Sequence, residues 1–138
     1  MSIHVFSDGA SRGNPGVSAI AYMILRADGH LLARHSQYVG VRTNNQAEYE
    51  AVIAALEAAL TLHVQAVVCH LDSELVVKQL TGAYRVRNQA LKRLWLRVHD
   101  LKPRFRQITF KHVSRGDRYL EDVDRLANQT LDRVQQNV

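Results

Sequence analysis

The sequence has a single cysteine and no long apolar run, and so lacks the features of disulfide-linked and membrane-spanning proteins respectively. Cys69 is the single cysteine among 138 residues, so an intrachain disulfide is excluded and a reducing, cytoplasmic location is expected. No apolar run approaches the ~18 residues that span a bilayer, and the N-terminus MSIHVFSDG lacks the basic and apolar regions of a signal peptide. We expect a single domain over residues 1–138 that acts as a monomer and does not associate with a membrane.

The composition is that of a folded domain with an excess of positive charge. Hydrophobic residues make up 46% of the chain and charged residues 22%, which predicts a buried core rather than a disordered chain. The net charge is +5 with histidine neutral. This balance is compatible with a polyanionic partner but does not identify one.

Hydrophobic periodicity predicts a mixed α/β domain. Residues 3–8, 17–26 and 31–41 have strand patterns, and Asp28-Gly29 between the last two is a hairpin signal. A helix is predicted over residues 43–62 and a strand buried on both faces over residues 66–71. The remaining predictions are helices at 73–80 and 88–101, a strand at 105–113 and a helix at 119–134. The order βββαβααβα describes one mixed sheet with helices packed on it.

Four of the thirteen acidic residues are predicted to lie on the core-facing side of their elements: Asp8, Glu48, Asp72 and Asp124. Asp8 shares a strand face with His4 and Phe6, just before a predicted turn. Asp124 projects within about 50° of the middle of an apolar helical stripe, whereas Glu121 and Asp122 point away from it. Buried carboxylates need protons or metal ions to offset their charge.

Each acid also has an ordinary structural explanation. Glu48 in a first helical turn compensates the helix dipole, Asp72 before a helix is a normal N-cap, and Asp124 at a stripe edge can reach water. Taken together, the four would converge if the two strands that end in Asp8 and Asp72 were adjacent at the sheet centre. Oxygen-only ligands favour Mg²⁺ or Mn²⁺ over Zn²⁺.

Four segments, in this order, resemble the type 1 ribonuclease H family: DGASRGNPG, TNNQAEYEAVIAAL, DSELVVKQLTGAYRVRN and DRLANQTLD. The sequence is most similar to the compact, archaeal-like branch without the basic protrusion. The resemblance implies an α/β ribonuclease H-like fold. Its five-stranded mixed sheet would have three antiparallel N-terminal strands, two parallel strands and helices on both faces.

The resemblance also implies a metal-dependent endonuclease that hydrolyses the RNA strand of RNA–DNA hybrids. Asp8, Glu48, Asp72 and Asp124 would hold two Mg²⁺ ions, with Mn²⁺ as a possible substitute, one activating water and one stabilising the leaving 3′ oxygen. The products would be 5′-phosphate and 3′-hydroxyl ends. The alternatives are a catalytically weak module of the same fold that binds hybrid or double-stranded RNA, and a related metal nuclease acting on DNA junctions or single strands.

Substrate recognition is assigned, by the same resemblance, to Gly13, Asn14, Thr43, Asn44, Asn45 and Gln46. Amide side chains suit the 2′-hydroxyls of a wide minor groove, and turn chemistry or helix capping explains the asparagines equally well. Lys92, Arg93 and Arg97 form a predicted basic helix face, which suits either solvent or phosphate contacts. Trp95 beside them is predicted to belong to the core.

The segment SRGDRYLED, residues 114–122, departs from the family pattern because it contains no histidine and is about two residues longer than usual. We hypothesise that Arg118 contacts the scissile phosphate in place of the missing histidine.

Overall fold

The computed structural model describes residues 2–114 and 116–136, so Met1, Arg115, Asn137 and Val138 of the predicted domain lie outside the described residues. The strands are β1 (Ser2–Gly13), β2 (Gly16–Arg26), β3 (Leu31–Arg42), β4 (Ala66–Leu71) and β5 (Gln107–His112). The helices are α1 (Asn44–Thr61), α2 (Glu74–Leu80), α3 (Gln89–Leu101) and α4 (Arg118–Gln136), with a short 3₁₀ turn at Lys102–Arg104. The predicted order of strands and α-helices is confirmed.

The five strands form one sheet in the order β3-β2-β1-β4-β5. β1 pairs antiparallel with β2 and β2 antiparallel with β3, whereas β4 runs parallel to both β1 and β5. The predicted mixed sheet, with three antiparallel strands and two parallel ones, is therefore confirmed. β1 is the central strand, so its side chains reach helices on both faces.

Local signals account for most element boundaries. Gly29 has φ +91°, which the predicted Asp28-Gly29 hairpin requires, and its N–H donates to the carbonyl of Arg26 at 2.9 Å. Ser73, not Asp72, caps α2, because the Ser73 hydroxyl accepts the N–H of Val76 at 3.2 Å. Asn88 caps α3 in the same way through Leu91.

The helices cover opposite faces of the sheet. α1 and α3 pack on one face in a core that includes Ile3, Val5 and Leu56, and α4 packs on the other face against Phe6, Ala21 and neighbouring strand residues. The Trp95 indole is half-buried against the first core and donates to the carbonyl of Gln79 at 3.0 Å, which confirms its predicted core role. Across residues 2–114 and 116–136, no helix combines the length and apolar character needed to cross a membrane.

The predicted end of β1 at Asp8 was wrong. The strand continues to Gly13, and every residue of that extension pairs with β2, from Asp8 opposite Ala21 to Gly13 opposite Gly16. The turn lies at Asn14 and Pro15, where the sequence GNPG reverses the chain. Asp8 therefore stands in the middle of a strand, with rigid backbone on both sides.

Candidate active site

Asp8 and Asp72 lie side by side where the central strands separate. The parallel pairing of β1 with β4 ends at Ser7 opposite Leu71, so the next residue of each strand is an aspartate. Beyond this point β1 continues with β2, while the chain after β4 turns into α2. The two predicted strand-borne acids are thus adjacent at the sheet centre, as the sequence argument required.

The point where β1 and β4 separate opens into a cleft of about 380 Å³ that α4 closes on one side. Asp8, Asp72 and Asp124 all line this cleft, together with Ser114, Gly116, Asp117, Leu120 and Glu121. The structure therefore brings together three of the four predicted acids in one open, strongly acidic site. Glu121, which was predicted to point away from the apolar stripe of α4, is exposed and also borders this cleft.

Glu48, the fourth acid, stands behind Asp8 in the interior. Its side chain is 7% exposed and that of Asp8 is 8% exposed. The N–H of Gly9 donates to Glu48 Oε1 at 2.9 Å, which holds the carboxylate toward β1. A Cβ on Gly9 would lie 2.3 Å from the main-chain carbon of Ala47, so only glycine permits α1 to approach this closely.

The electrostatics of the site follow from this burial. Desolvation raises the pKa of Asp8, and the neighbouring carboxylates of Glu48 and Asp124 raise it further. Burial likewise raises the pKa of Glu48, although the Gly9 N–H opposes that shift and the charges of Asp72 and Asp124 add to it. The pKa values of the two buried acids, Asp8 and Glu48, are therefore raised both by burial and by the charges of neighbouring carboxylates.

Two of the acids are less buried than the sequence argument expected. Asp72 and Asp124 are exposed to solvent. Asp72 lies beyond the last paired residue of β4, and Asp124 lies on the edge of the α4 stripe, which is the alternative that the helical projection left open. Periodicity gives the side of the helix on which a residue stands, but here that side opens into a cleft.

The donor set fits a hard divalent cation. Glu48 Oε2 is buried and has no hydrogen-bond partner, so an oxygen is left for a cation or a proton to satisfy. All four side chains offer oxygen alone, the ligand type that Mg²⁺ and Mn²⁺ prefer. Across residues 2–114 and 116–136, no three His, Cys, Asp or Glu side chains are arranged closely enough to hold a metal ion, so the four carboxylates do not form a completed metal site in this structure.

The predicted substrate-binding segments meet at the N-terminus of α1. Thr43 is the N-cap and forms a capping box: its hydroxyl accepts the N–H of Gln46 at 3.2 Å, and its own N–H donates to Gln46 Oε1 at 2.9 Å. The N–H of Asn44 donates to Asn14 Oδ1 at 3.0 Å, which joins the β1–β2 turn to the helix. Gly13 has φ +106°, a conformation that favours glycine.

These contacts divide the predicted segment into structural and available groups. Thr43 and the side-chain oxygen of Gln46 form the cap of α1, so helix capping, one of the explanations considered from the sequence, accounts for both. The Asn44 side chain is exposed and that of Asn45 is half-exposed. The side-chain amides of Asn44 and Asn45 are therefore accessible at this end of the molecule.

The predicted basic face of α3 is split into three environments. Arg97 pairs with Glu57 of α1 at 2.9 Å, which engages its guanidinium within the protein. Arg93 lines a small groove with Arg42 and Gln46 near the N-terminus of α1. Lys92 lines a second groove, of about 580 Å³, between α2 and α3, with Tyr84, Arg85, Arg87 and Trp95 among its neighbours.

The structure places Arg118 outside the acidic cleft. Its guanidinium lies 5.7 Å from the centre of the Tyr119 ring, and Tyr119 packs against Phe6. The residues of this segment that border the cleft are Ser114, Gly116, Asp117, Leu120 and Glu121. The geometry therefore gives no support to a contact between Arg118 and a phosphate in the cleft.

Gly9 is the functional position that the sequence argument missed. It was read as part of a turn, whereas it is a paired strand residue that sets the distance between β1 and Glu48. The Asp-Gly dipeptide was a usable signal, because glycine inside a strand often marks close approach of another backbone.

Comparison with known proteins identifies the family. The profile of a family described as reverse transcriptase-like matches residues 6–129. Ribonuclease HI of Halobacterium salinarum is 42% identical over 130 residues, which covers 94% of this chain and 64% of that protein. A bifunctional protein of Mycobacterium tuberculosis is 36% identical over 138 residues, 99% of this chain and 37% of its own length. The chain thus spans less than two thirds of these curated relatives.

Solved structures agree over nearly their whole length. RNase H1 from Halobacterium salinarum superposes with a TM-score of 0.92 at 41% identity, covering 96% of this chain and 99% of that one. The N-terminal RNase H domain of the Mycobacterium tuberculosis protein gives 0.92 at 36% identity, covering 99% and 97%. LC11-RNase H1, solved in complex with an RNA/DNA hybrid, gives 0.90 at 33% identity, covering 96% and 99%. The chain therefore belongs to the reverse transcriptase-like family and forms a ribonuclease H domain.

Proposed function

We propose that this chain is a metal-dependent endonuclease that hydrolyses the RNA strand of RNA–DNA hybrids. The observation that carries the proposal is the convergence of Asp8, Asp72 and Asp124 in one cleft, with Glu48 buried behind them. The similarity to ribonuclease HI of Halobacterium salinarum supports the activity, and the hybrid bound by LC11-RNase H1 supports the substrate.

The cofactor we propose is a pair of Mg²⁺ ions held by Asp8, Glu48, Asp72 and Asp124, with Mn²⁺ as a possible substitute. Enzymes of this family generally use divalent metal ions. Bound divalent cations would supply positive charge that promotes ionisation of the attacking water and stabilises the leaving oxygen. The raised pKa values of Asp8 and Glu48 support this proposal, because they mark a site whose carboxylates lack compensating charge.

The protein's own contribution is to fix two of the carboxylates, Asp8 and Glu48, before substrate binds. The Gly9 N–H holds Glu48 Oε1, and Oε2 is buried without a hydrogen-bond partner. Asp8 is held by strand pairing on both sides of its residue. Such preorganisation avoids moving charged groups during the reaction. Hydrolysis at this site would leave 5′-phosphate and 3′-hydroxyl ends.

Recognition of the RNA strand is proposed for the segment beside the cleft. Asn14, Asn44 and Asn45 would present amides to 2′-hydroxyls, and Gly13 would let the sugar approach the backbone. Because Gln46 commits its Oε1 to the cap, its Nε2 donors are the part it can offer. Thr43 would act through its cap, by holding the N-terminus of α1 in place.

The phosphate backbone is proposed to contact Arg93 and Lys92, whose side chains line grooves. Such contacts would be sequence-independent and weakened by salt. Arg97 is a poorer candidate because its pairing with Glu57 must be broken first. We further propose that the protein acts as a monomer in the cytoplasm, a location supported by its buried, unpaired Cys69.

The test is cleavage of end-labelled RNA–DNA hybrid, double-stranded RNA and DNA in the presence of Mg²⁺ or Mn²⁺. Wild type should cut the RNA strand of the hybrid, and Asp8→Asn should reduce cleavage by a factor of about a thousand or more. Asp100→Asn, the same chemical change at an exposed position of α3, is the matched control and should cut normally. Hybrid binding without cleavage by wild type would favour the weak binding module instead, and normal cleavage by Asp8→Asn would refute the proposed site.

A further inference from the structure

The side chain of Asp124, one of the acids of the cleft, is held by another side chain of α4. Asn128, one turn later on α4, donates from Nδ2 both to the main-chain oxygen of Asp124 at 2.9 Å and to Asp124 Oδ1 at 3.2 Å. An exposed aspartate otherwise exchanges among staggered rotamers. The Asn128 amide selects the rotamer in which Oδ1 is engaged and Oδ2 is left for the cleft.

Arg12 holds Asn128 in the orientation that this contact needs. Its guanidinium donates to the main-chain oxygen of Asn128 at 3.2 Å and to Asn128 Oδ1 at 3.4 Å. The opposite flip of the amide would set its NH₂ against the guanidinium and its oxygen against the two oxygens of Asp124. Arg12 therefore distinguishes the two flips, because a guanidinium only donates and a carboxylate only accepts.

The Arg12 side chain is itself anchored along α4. It donates to Asp132 Oδ1 at 2.6 Å and to the Gln135 side chain, so it follows one face of the helix over about two turns. On the other side, Arg12 belongs to the β1–β2 hairpin that carries Gly13 and Asn14. Since Asn14 accepts the N–H of Asn44, one hairpin contacts both the N-terminus of α1 and the helix of Asp124.

We propose that Asn128 is a positioning residue for Asp124, and that Arg12 positions Asn128, so that the hairpin of the RNA-recognition segment also sets the orientation of the Asp124 carboxylate. The inference rests on the proposed function for its kinetic consequences. The single Asp124 rotamer that it predicts does not depend on catalysis. A plain helix-anchoring role for Arg12 would instead involve Asp132 at least as much as Asn128, since the Arg12–Asp132 contact is the shorter one.

The variants separate these two roles. Asn128→Asp keeps an acceptor for Arg12 but replaces the donor to Asp124 with an oxygen, and Asn128→Ala removes the contact without adding charge. Arg12→Ala leaves Asn128 free to flip. Asp132→Ala is the matched control, because it removes the ion pair that anchors Arg12 on α4 and leaves Asn128 intact. Thermal unfolding of all four shows which of them are folded and how far the helix is loosened.

The direct readout is the χ1 rotamer of Asp124 in the metal-free protein, measured by NMR three-bond couplings. Wild type and Asp132→Ala should show one rotamer, whereas both Asn128 variants and Arg12→Ala should show averaging. In hybrid cleavage, the Asn128 variants should lower kcat by about tenfold with KM within about twofold. Asp132→Ala should keep the wild-type kcat even though its thermal midpoint falls.

Two results would overturn the proposal. One is a single Asp124 rotamer in both Asn128 variants, and the other is averaging in the wild type. An unaltered rotamer in Arg12→Ala alone would remove Arg12 from the proposal. If wild type showed the fixed rotamer but did not cleave hybrid, the proposed function would fail while the positioning role stood.

Discussion

The Asp8 carboxylate is buried among other acids, and its neutralisation should stabilise the metal-free protein while abolishing cleavage. Burial and the neighbouring Glu48 and Asp124 raise its pKa above the ordinary value of 3.8. The folded state therefore binds more protons than the unfolded state between that value and the folded pKa. It follows that the free energy of unfolding contributed by Asp8 falls as the pH rises above about 4.

The size of this effect has a ceiling set by the pH alone. At about 1.4 kcal/mol per pH unit, the loss accumulated between about pH 4 and pH 7 is at most about 4 kcal/mol. We expect about half of that, because Asp8 lines an open cleft through which water reaches the carboxylate. Asp8→Asn should then raise the thermal midpoint of the metal-free protein by roughly 5–10 °C at neutral pH.

The assay is thermal unfolding in a chelator at about pH 5 and about pH 7.5, with Asp100→Asn as the exposed control. The gap between Asp8→Asn and wild type should shrink at the lower pH, and the control should stay within about 0.5 kcal/mol of wild type. Added Mg²⁺ should raise the midpoint of wild type and leave Asp8→Asn nearly unchanged. A midpoint for Asp8→Asn at or below that of wild type in chelator, or a gap that widens toward pH 5, would refute the reasoning.

Three further outcomes are expected. Gly9→Ala places a Cβ 2.3 Å from the Ala47 main chain, so α1 must shift. We expect the free energy of unfolding in urea to fall by about 2 kcal/mol or more and the cleavage rate to fall at least about tenfold. An unchanged urea midpoint would contradict the close approach. Thr43→Ala removes the cap of α1 and should cost about 1 kcal/mol by calorimetry, a loss that a wild-type midpoint would disprove. Arg93→Ala should lower the salt slope of hybrid binding by about 1, and Arg97→Ala, whose guanidinium is already paired on α1, by less; equal slopes for wild type and both variants would remove the two arginines from the interface.

The elements that the sequence predicted well are those with local causes. β4 was predicted at residues 66–71 and is found at Ala66–Leu71, because a continuous apolar run favours a buried strand. The expectation that both of its faces are buried was wrong, since Val67, Cys69 and Leu71 are buried whereas the residues between them are half-buried. The Asp28-Gly29 hairpin rests on two residues and their backbone preferences. β1 was cut short at Asp8 because its second half is stabilised by pairing with β2, a partner that no local pattern in DGASRG reveals.

The site shows the same division between local and distant causes. The positions of Asp8 and Asp72 followed from strand adjacency, whereas the exposure of Asp72 and Asp124 depends on what covers those faces in the folded chain. The contact between Gly9 and Glu48 joins residues 39 apart in sequence, and that between Arg12 and Asn128 joins residues 116 apart. Such contacts are properties of the packed domain, and periodicity within one element does not contain them.

The alternation of side chains along β1 constrains where the chain can change length. Asp8 faces the acidic cleft, and Gly9, on the opposite face, lies against α1. Inserting or deleting a single residue earlier in β1 would exchange these two faces, turning the carboxylate toward α1 and the bare backbone toward the cleft. A one-residue change of length between His112 and Arg118 would not exchange two faces in this way, because Asp124 is placed by the packing of α4. Length variation among proteins with this site should therefore collect before the last helix and avoid the central strand.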